Sequence, residues 1–264
     1  MHRLMAVLLA GMLLAGCTAT GTTRDPLQRE TVYQVATISA LQESVYDGTV
    51  SVATLRQRGD LGIGTFNALD GELIMLDGKV YRFGADGRVS EMDDRTLTPF
   101  ATVTWFEPDF SQALTPMTSY ENFKAQTDAL LPTLNLPYAV RIDGVFSHVK
   151  TRAPRSQARP YPRLVEALAN QPEFEYRDVR GTLVGFRLPQ YLSGVNAPGW
   201  HMHFLSADRG KGGHVLAFSV AQASFAYDRT PNLLMALPES GDFVSSNLSR
   251  DTSRELTVIE GSRP

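Results

Sequence analysis

Residues 199–216 have the sequence GWHMHFLSADRGKGGHVL, in which a glycine-rich segment at 208–213 separates two apolar segments. Apolar runs on either side of such a segment predict a β-hairpin. Side chains alternate between the two faces of a strand, so His201 and His203 point to the same side. If the hairpin is centred between Asp208 and Arg209, His203 lies opposite His214. The three imidazoles are therefore predicted to share one face.

Three of the five histidines in the chain occur in this hairpin. Opposed side chains on neighbouring strands have Cβ atoms about 5 Å apart, which lets three nitrogens bind one metal ion at roughly 2.1 Å. Three protein ligands leave a coordination position open, as in catalytic sites. His201, His203 and His214 are thus predicted to hold zinc, with manganese, iron, cobalt or nickel as alternatives. Three independent histidines on a sheet surface are the other interpretation, and His148 is given no role.

The rest of the chain predicts short strands and few helices. Turn signals at Asp70-Gly71 and Asp77-Gly78 indicate successive hairpins across 62–83. Further strands are predicted at 32–41, 102–106, 138–152, 174–186, 200–225 and 255–260, and helices at 51–58, 118–131 and 163–170. This pattern is typical of an α+β protein with two mainly antiparallel or mixed β-sheet domains. We place them at 31–135 and 136–264, with the metal site on a hairpin of the second.

The N-terminus has the pattern of an export signal. A positive start is followed by an apolar run at 4–14, which is shorter than the roughly 20 residues of a transmembrane helix. Leu14-Ala15-Gly16-Cys17 resembles a bacterial lipobox. Residues 1–16 are therefore predicted to be a signal peptide, and 17–30 an acylated Cys17 with a polar tether. The predicted location is the periplasm or cell envelope, anchored to the membrane through Cys17; the alternative is an ordinary cysteine beside the cleavage site of a soluble signal.

Charge and cysteine content restrict the partners. The net charge is −3, and acidic and basic residues are interspersed, so nothing favours nucleic acid as a partner. A small-molecule substrate fits better. Cys17 is the only cysteine, so the exported chain has no internal disulfide.

Four separated segments resemble the signatures of the α-acetolactate decarboxylase family. The histidine segment 199–216 is similar to the metal-binding signature, and GIGTFNALDGEL at 62–73 to the N-terminal one. The segment 138–152 is similar to the arginine-bearing part, and VIEG at 258–261 to the C-terminal glutamate segment. The segments occur in the order found in the family, and the resemblance extends from about Tyr33 to Glu260.

The resemblance implies a two-domain protein with a central zinc ion, usually a homodimer, that converts 2-acetolactate to acetoin and carbon dioxide. Many relatives are cytoplasmic, so the lipobox-like N-terminus departs from the family. In this reaction zinc would polarise the ketone and hydroxyl oxygens of the substrate and stabilise the enediolate as carbon dioxide leaves.

An arginine is the expected partner of the substrate carboxylate, because a guanidinium offers a planar fork to it. Arg141 and Arg152 are the candidates. They are eleven residues apart, so on one regular strand they point to opposite faces and only one reaches the metal. The resemblance favours Arg152, whose other interpretation is a surface ion pair. Thr65 is a further candidate for a hydrogen bond to substrate.

The enediolate must then be protonated, which requires a carboxylic acid with a raised pKa. The resemblance selects Glu72 and Glu260. Glu260 is either the acid or a fourth metal ligand, and these roles stay open. Glu255 is the fallback if the terminal register differs.

Two other functions use the same histidines. A metallohydrolase would use them to generate a zinc hydroxide at neutral pH. A non-catalytic sugar- or metal-binding lipoprotein would need them only as ligands.

Overall fold

A computed structural model describes residues 26–260, which form two large β-sheets, a short two-stranded ribbon and a few helices. The predicted signal peptide and Cys17 lie outside the described residues. Across 26–260, none of the helices combines the length and the apolar composition needed to cross a membrane.

Residues 26–260 contain fourteen strands and seven α-helices. The strands are β1 Thr31–Val35, β2 Val50–Ser51, β3 Leu61–Thr65, β4 Glu72–Leu76, β5 Lys79–Phe83, β6 Val89–Glu91, β7 Leu97–Thr98, β8 Phe100–Thr104, β9 Phe110–Leu114, β10 Tyr138–Arg152, β11 Glu173–Leu188, β12 Gly199–Ser206, β13 Gly212–Arg229 and β14 Asn232–Ala236. The α-helices are α1 Pro26–Arg29, α2 Ile38–Gln42, α3 Val52–Arg56, α4 Tyr120–Asp128, α5 Leu164–Ala167, α6 Asp242–Ser245 and α7 Ser253–Glu260.

The first sheet has seven strands in the order β14-β1-β8-β3-β4-β5-β6, and the hairpins predicted across 62–83 are β3–β4 and β4–β5. It is mixed, because β14 lies parallel to β1 while the other pairs are antiparallel. The second sheet has the order β10-β11-β12-β13-β9. The long strand β10 also pairs with β13, so β10 to β13 close into a small barrel. The predicted α+β class is confirmed.

The two sheets exchange segments across the predicted boundary between 135 and 136. Strand β9 comes from the first half but pairs with β13, and β14 comes from the second half but pairs with β1. One apolar core contains side chains of both sheets, among them Ile74 of β4 and Leu205 of β12. The sheets therefore pack directly on one another, and the boundary at 135/136 does not separate them.

Two predicted strands are partly or wholly helical. In 32–41 the strand stops at Val35, because Ala36 adopts a positive φ of 52° and the Thr37 side chain then caps α2 by accepting from Ala40 N. The predicted terminal strand 255–260 is wrong, since these residues lie in α7. Leu256 and Ile259 are three residues apart, which places both on one buried helix face. The helices predicted at 51–58 and 118–131 form over shorter ranges, as Val52–Arg56 capped by Ser51 and as Tyr120–Asp128 capped by Ser119.

Candidate metal centre

The hairpin β12–β13 brings the three histidines together. His203 lies directly opposite His214 in the antiparallel register, which confirms the predicted pairing, and the tight turn includes Arg209 with a φ of 57°. One ring nitrogen from each of His201, His203 and His214 lies within 4.8 Å of the others. The residues are only 8%, 1% and 4% exposed, so they are not independent surface histidines.

Burial keeps these imidazoles neutral. It lowers the pKa of His201 to about 3 and those of His203 and His214 well below the usual value, and the nearby Arg152 guanidinium adds to the effect in each case. A neutral imidazole has one nitrogen lone pair free to bind a metal ion.

The ring of His203 is held by the first sheet. Its Nδ1 lies 2.8 Å from the carbonyl oxygen of Leu73, and since a carbonyl only accepts, Nδ1 carries the proton. The lone pair is therefore on Nε2, on the other side of the ring. Such a backbone bond is the usual way in which a metal-binding histidine is oriented. The carbonyl of Leu73 could not be predicted from the sequence, because it acts through its backbone.

Neutral ring nitrogens that converge in a buried place fit a zinc ion. His201 Nε2 and His214 Nδ1 are only 3.1 Å apart, and the other nitrogen of His201, Nδ1, is buried without a hydrogen-bond partner among the described residues. Nitrogen donors of this kind also suit the other first-row transition metals. The donor set therefore agrees with the predicted metal site.

Glu260 reaches the histidines from α7, the last element of the described chain. Its Oε2 lies 3.8 Å from His201 Nε2 and 3.7 Å from His214 Nε2. Burial raises its pKa to about 7, although Arg152 acts in the opposite direction. The fallback Glu255 lies elsewhere, in an ion pair with Arg163.

Glu72, the first residue of β4, approaches from the opposite sheet. Its Oε2 lies 3.5 Å from His203 Nε2, and its side chain is 11% exposed. Burial raises its pKa to about 8; Arg152 opposes this shift, and the negative charge of Glu260 adds to it. Burial therefore favours the protonated form of Glu72.

The structure brings only one of the two candidate arginines to the histidines. Arg152 is the last residue of β10, lies opposite His214 in the sheet and is 4% exposed, so it is not a surface ion pair. Arg141 instead forms ion pairs with Asp77 and Asp143, both at 2.6 Å, and does not line the cavity next to the histidines. The prediction that the two side chains point to opposite faces is wrong, because an irregularity between Phe146 and His148 interrupts the alternation along β10. The register places both arginines on the face that carries the histidines, and distance along the long strand separates them.

The cavity has a polar end and an apolar wall. Thr65 lines the polar end, where its hydroxyl donates to the carbonyl oxygen of Gly71 at 2.8 Å. The wall is formed by apolar side chains, mostly from the helices that cover the cavity: Ile38, Leu41, Leu69, Phe100, Leu164 and Ile259. Sequence reasoning missed this wall. The spacing of Leu256 and Ile259 was the available signal for the helix that supplies part of it.

Fold and cavity together define an α+β protein with a buried histidine cluster able to hold a metal ion, next to an arginine and two carboxylic acids. The model of the alpha-acetolactate decarboxylase family matches residues 32–250. The alpha-acetolactate decarboxylase of Methanosarcina mazei is 44% identical over 88% of this chain and 80% of its own length, and that of Bacillus subtilis is 39% identical over 88% and 91%. The chain belongs to the alpha-acetolactate decarboxylase family, and it is a carboxy-lyase.

Solved structures agree with this assignment. The crystal structure of alpha-acetolactate decarboxylase from Bacillus subtilis strain 168 superposes with a TM-score of 0.86 at 38% identity, covering 88% of this chain and all of that one. A Staphylococcus aureus protein described as similar to alpha-acetolactate decarboxylase superposes with a TM-score of 0.84 at 32% identity, over 87% of this chain and all of its own. The fold assignment therefore applies to most of the chain.

Proposed function

We propose that the protein is a zinc-dependent enzyme that converts 2-acetolactate to acetoin and carbon dioxide. The observation that carries the proposal is the convergence of Arg152, Glu72 and Glu260 on three buried neutral histidines. The reaction removes the carboxyl group as carbon dioxide and puts a proton in its place. It therefore requires a group that binds the carboxylate, an acid that donates the proton, and a metal centre. A bound zinc ion would supply a positive charge that draws electrons toward the substrate ketone.

Arg152 binds the substrate carboxylate. Its guanidinium is close enough to the histidines to lower their pKa values, and its burial strengthens an ion pair with an anionic ligand. Arg141 takes no part, because its guanidinium is bound to two aspartates.

Glu72 donates the proton. When carbon dioxide leaves, the electron pair of the broken carbon–carbon bond moves toward the ketone, and the resulting enediolate takes a proton on the carbon that lost the carboxyl group. Glu72 is protonated near neutral pH because burial raises its pKa to about 8. The apolar wall disfavours water in the cavity, so Glu72 supplies the proton from its own side of the substrate. Thr65, already bonded to Gly71, has its hydroxyl oxygen free to accept from the substrate hydroxyl.

Glu260 would be the fourth ligand of a bound zinc ion. Its Oε2 lies 3.8 Å from His201 Nε2 and 3.7 Å from His214 Nε2, so the carboxylate could reach an ion held by these histidines. A ligating carboxylate is ionised, so this role leaves proton donation to Glu72.

The test is an assay of the zinc-loaded protein with 2-acetolactate, together with ester substrates. Acetoin and carbon dioxide in equal amounts support the proposal. Ester cleavage without acetoin indicates a zinc hydrolase, and zinc binding without either activity indicates a binding protein; both results contradict the proposal.

The active form is a homodimer joined along β14. This edge strand pairs only with β1 within residues 26–260, and it exposes Leu233 and Leu234 by 41% and 45%. The Asn232 amide donates to Glu30, next to β1, so by strand alternation the backbone groups of Leu233 and Met235 point outward. The β14 strand of a second copy, in antiparallel orientation, can form hydrogen bonds with these backbone groups. The two-fold axis of the dimer then passes through Leu234. The predicted tether, within 17–30, is polar, so a second copy of the chain covers these leucines better than the tether would.

Light scattering tests the dimer. Leu234→Lys places two like charges opposite each other at the axis and should give monomers. Leu97→Lys, at a similarly exposed leucine of β7, should stay dimeric. A monomeric unsubstituted protein would contradict the proposal.

The protein is exported and anchored to the membrane through an acylated Cys17. The support is the positive start, the apolar run at 4–14 and the lipobox-like Leu14-Ala15-Gly16-Cys17. A Cys17→Ser variant should leave the membrane fraction. Unchanged fractionation would argue against the anchor.

A further inference from the structure

Helix α7 depends on neighbouring elements for its position. It has eight residues, and so short a helix is marginal in isolation. Only Leu256 and Ile259 are buried on it, at 6% and 4% exposure. Yet its last residue, Glu260, reaches the histidines. Something else must fix the helix along its length.

An arginine outside the cavity forms this connection. The guanidinium of Arg163, at the start of α5, donates to both carboxylate oxygens of Glu255 on α7, at 3.0 and 2.8 Å. It also donates at 3.0 Å to Glu43, the residue after α2. Arg250, just before α7, donates to the same oxygen of Glu43 at 2.8 Å. We call these four residues, Arg163, Glu255, Glu43 and Arg250, the α7 clamp.

A second connection holds the start of α7. The Gln42 side chain donates to the carbonyl oxygen of Thr252 at 3.0 Å and accepts from the Thr252 hydroxyl at 2.7 Å. Both residues are buried, so these bonds form in a water-poor environment. The clamp and this pair join α7 to α2 and α5, which are the helices whose apolar side chains line the cavity.

We infer that Arg163 is a positioning residue, which holds α7 closed over the cavity through Glu255 and Glu43 and thereby keeps Glu260 against His201 and His214. Arg163 does not line the cavity, and its hydrogen bonds go to Glu255 and Glu43, so it acts through α7. Without the clamp, α7 retains two buried side chains and the Gln42–Thr252 pair, and it opens more often. Opening withdraws Glu260 and admits water to the site.

Arg163→Met tests the inference, with Arg159→Met as the matched control. Arg159 lies in the same loop and also pairs with two acids, but these are Asp47 and Asp242, outside α7. Hydrogen exchange by mass spectrometry should show that amides of 253–260 exchange about tenfold faster in Arg163→Met, since charge-assisted bonds ordinarily change an opening equilibrium by that factor. Amides of β12 and β13 should stay protected in both variants.

Reversing the charges of the Arg163–Glu255 pair is the second test. Arg163→Glu should open α7 further, and the double variant Arg163→Glu/Glu255→Arg should restore slow exchange by reversing the pair. Unchanged exchange in 253–260 for Arg163→Met would overturn the inference. Equally faster exchange throughout the protein would also overturn it, because that result indicates a general structural role.

Zinc retention is the third readout, and it rests on the proposed zinc function. Arg163→Met should hold zinc about tenfold more weakly against a chelator, and Arg159→Met should not. If the unsubstituted protein binds no zinc, the proposed function fails while the exchange result still decides the role of Arg163. If it binds zinc and Arg163→Met retains it equally well, Arg163 does not position Glu260.

Discussion

Burial determines the protonation state of the residues around the candidate metal centre. Glu72 and Glu260 have raised pKa values and the histidines have lowered ones, and in each case the main cause is removal from water. The buried guanidinium of Arg152 partly compensates for the charge of the two acids. Burial is thus the one physical cause of two features. It keeps the histidines neutral, as metal binding requires, and it favours the protonated form of the acids.

Glu72→Gln separates proton donation from metal binding. Glutamine keeps the size of the side chain but cannot donate a proton as an acid does, so turnover should fall by about 10²- to 10⁴-fold. Zinc content should be unchanged, because the proposed ligands are the three histidines and Glu260. Acetoin assays and metal analysis of the same sample measure both quantities. Loss of zinc would make Glu72 a ligand instead.

Arg152→Lys tests the carboxylate anchor, and Arg141→Lys is its control. Lysine keeps the charge but lacks the planar fork, so kcat/KM for 2-acetolactate should fall about 10- to 100-fold in Arg152→Lys. Arg141→Lys should change it little, because Arg141 is bound to Asp77 and Asp143 away from the cavity. Equal losses in both variants would contradict the assignment.

At the scale of elements, the close approach of β11 and β12 positions His201. A Cβ at Gly185 of β11 would lie 2.0 Å from the carbonyl oxygen of His201, so only glycine fits between the strands there. Strand β12 must shift if this position is enlarged, and the shift moves two of the three histidines.

Gly185→Ala should therefore lower the free energy of unfolding by about 1–3 kcal/mol and weaken zinc binding. Gly210→Ala in the hairpin turn is the control, since its Cβ would meet nothing closer than 3.4 Å. Denaturant unfolding and chelator competition measure the two effects. A Gly185→Ala protein as stable as the control would show that β11 and β12 separate without cost.

The elements differ in how well the sequence predicts them. The β12–β13 register was predictable because the turn between 208 and 209 fixes which residues are opposed, and His203 does face His214. Helix α7 was not, because its Thr-Val-Ile run favours a strand, whereas burial of Leu256 and Ile259 against other helices favours the helix. Tertiary packing decided that case.

The sequence also did not indicate which distant segments pair with one another in the sheets. Nothing local in 110–114 or 232–236 indicates which sheet each joins, since β9 pairs with β13 and β14 with β1 over roughly a hundred residues or more. The roles of Arg152 and Glu72 came from resemblance alone. Their positions follow from the packing of one sheet on the other.

At the scale of the molecule, one buried acid links stability to pH. Asp228 is 4% exposed and accepts from the Glu107 amide at 2.9 Å, and burial raises its pKa to about 7. Between about pH 4 and pH 7 the folded state holds a proton that the unfolded state has lost. Stability from this group is therefore full at low pH and is lost as the pH rises through 7.

Asp228→Asn should remove this loss. Asparagine keeps an oxygen to accept from Glu107 and does not ionise, so the variant should lose less stability than the unsubstituted protein between pH 5 and pH 8. One unit of pKa shift corresponds to about 1.4 kcal/mol, so even a fraction of the shift is measurable by chemical denaturation. Parallel pH profiles for the two proteins would contradict a buried, protonated Asp228.

Titration of the metal-stripped protein with zinc, followed by acetoin formation from 2-acetolactate, tests the central claim most directly. The account predicts no acetoin without metal and a rate that rises with added zinc until one ion is bound per chain. His203→Ala should not recover at that stoichiometry, because it removes the histidine that Leu73 orients. Full acetoin formation by the metal-free protein, or full recovery of His203→Ala with one zinc ion, would contradict the claim that these three histidines form the catalytic metal centre.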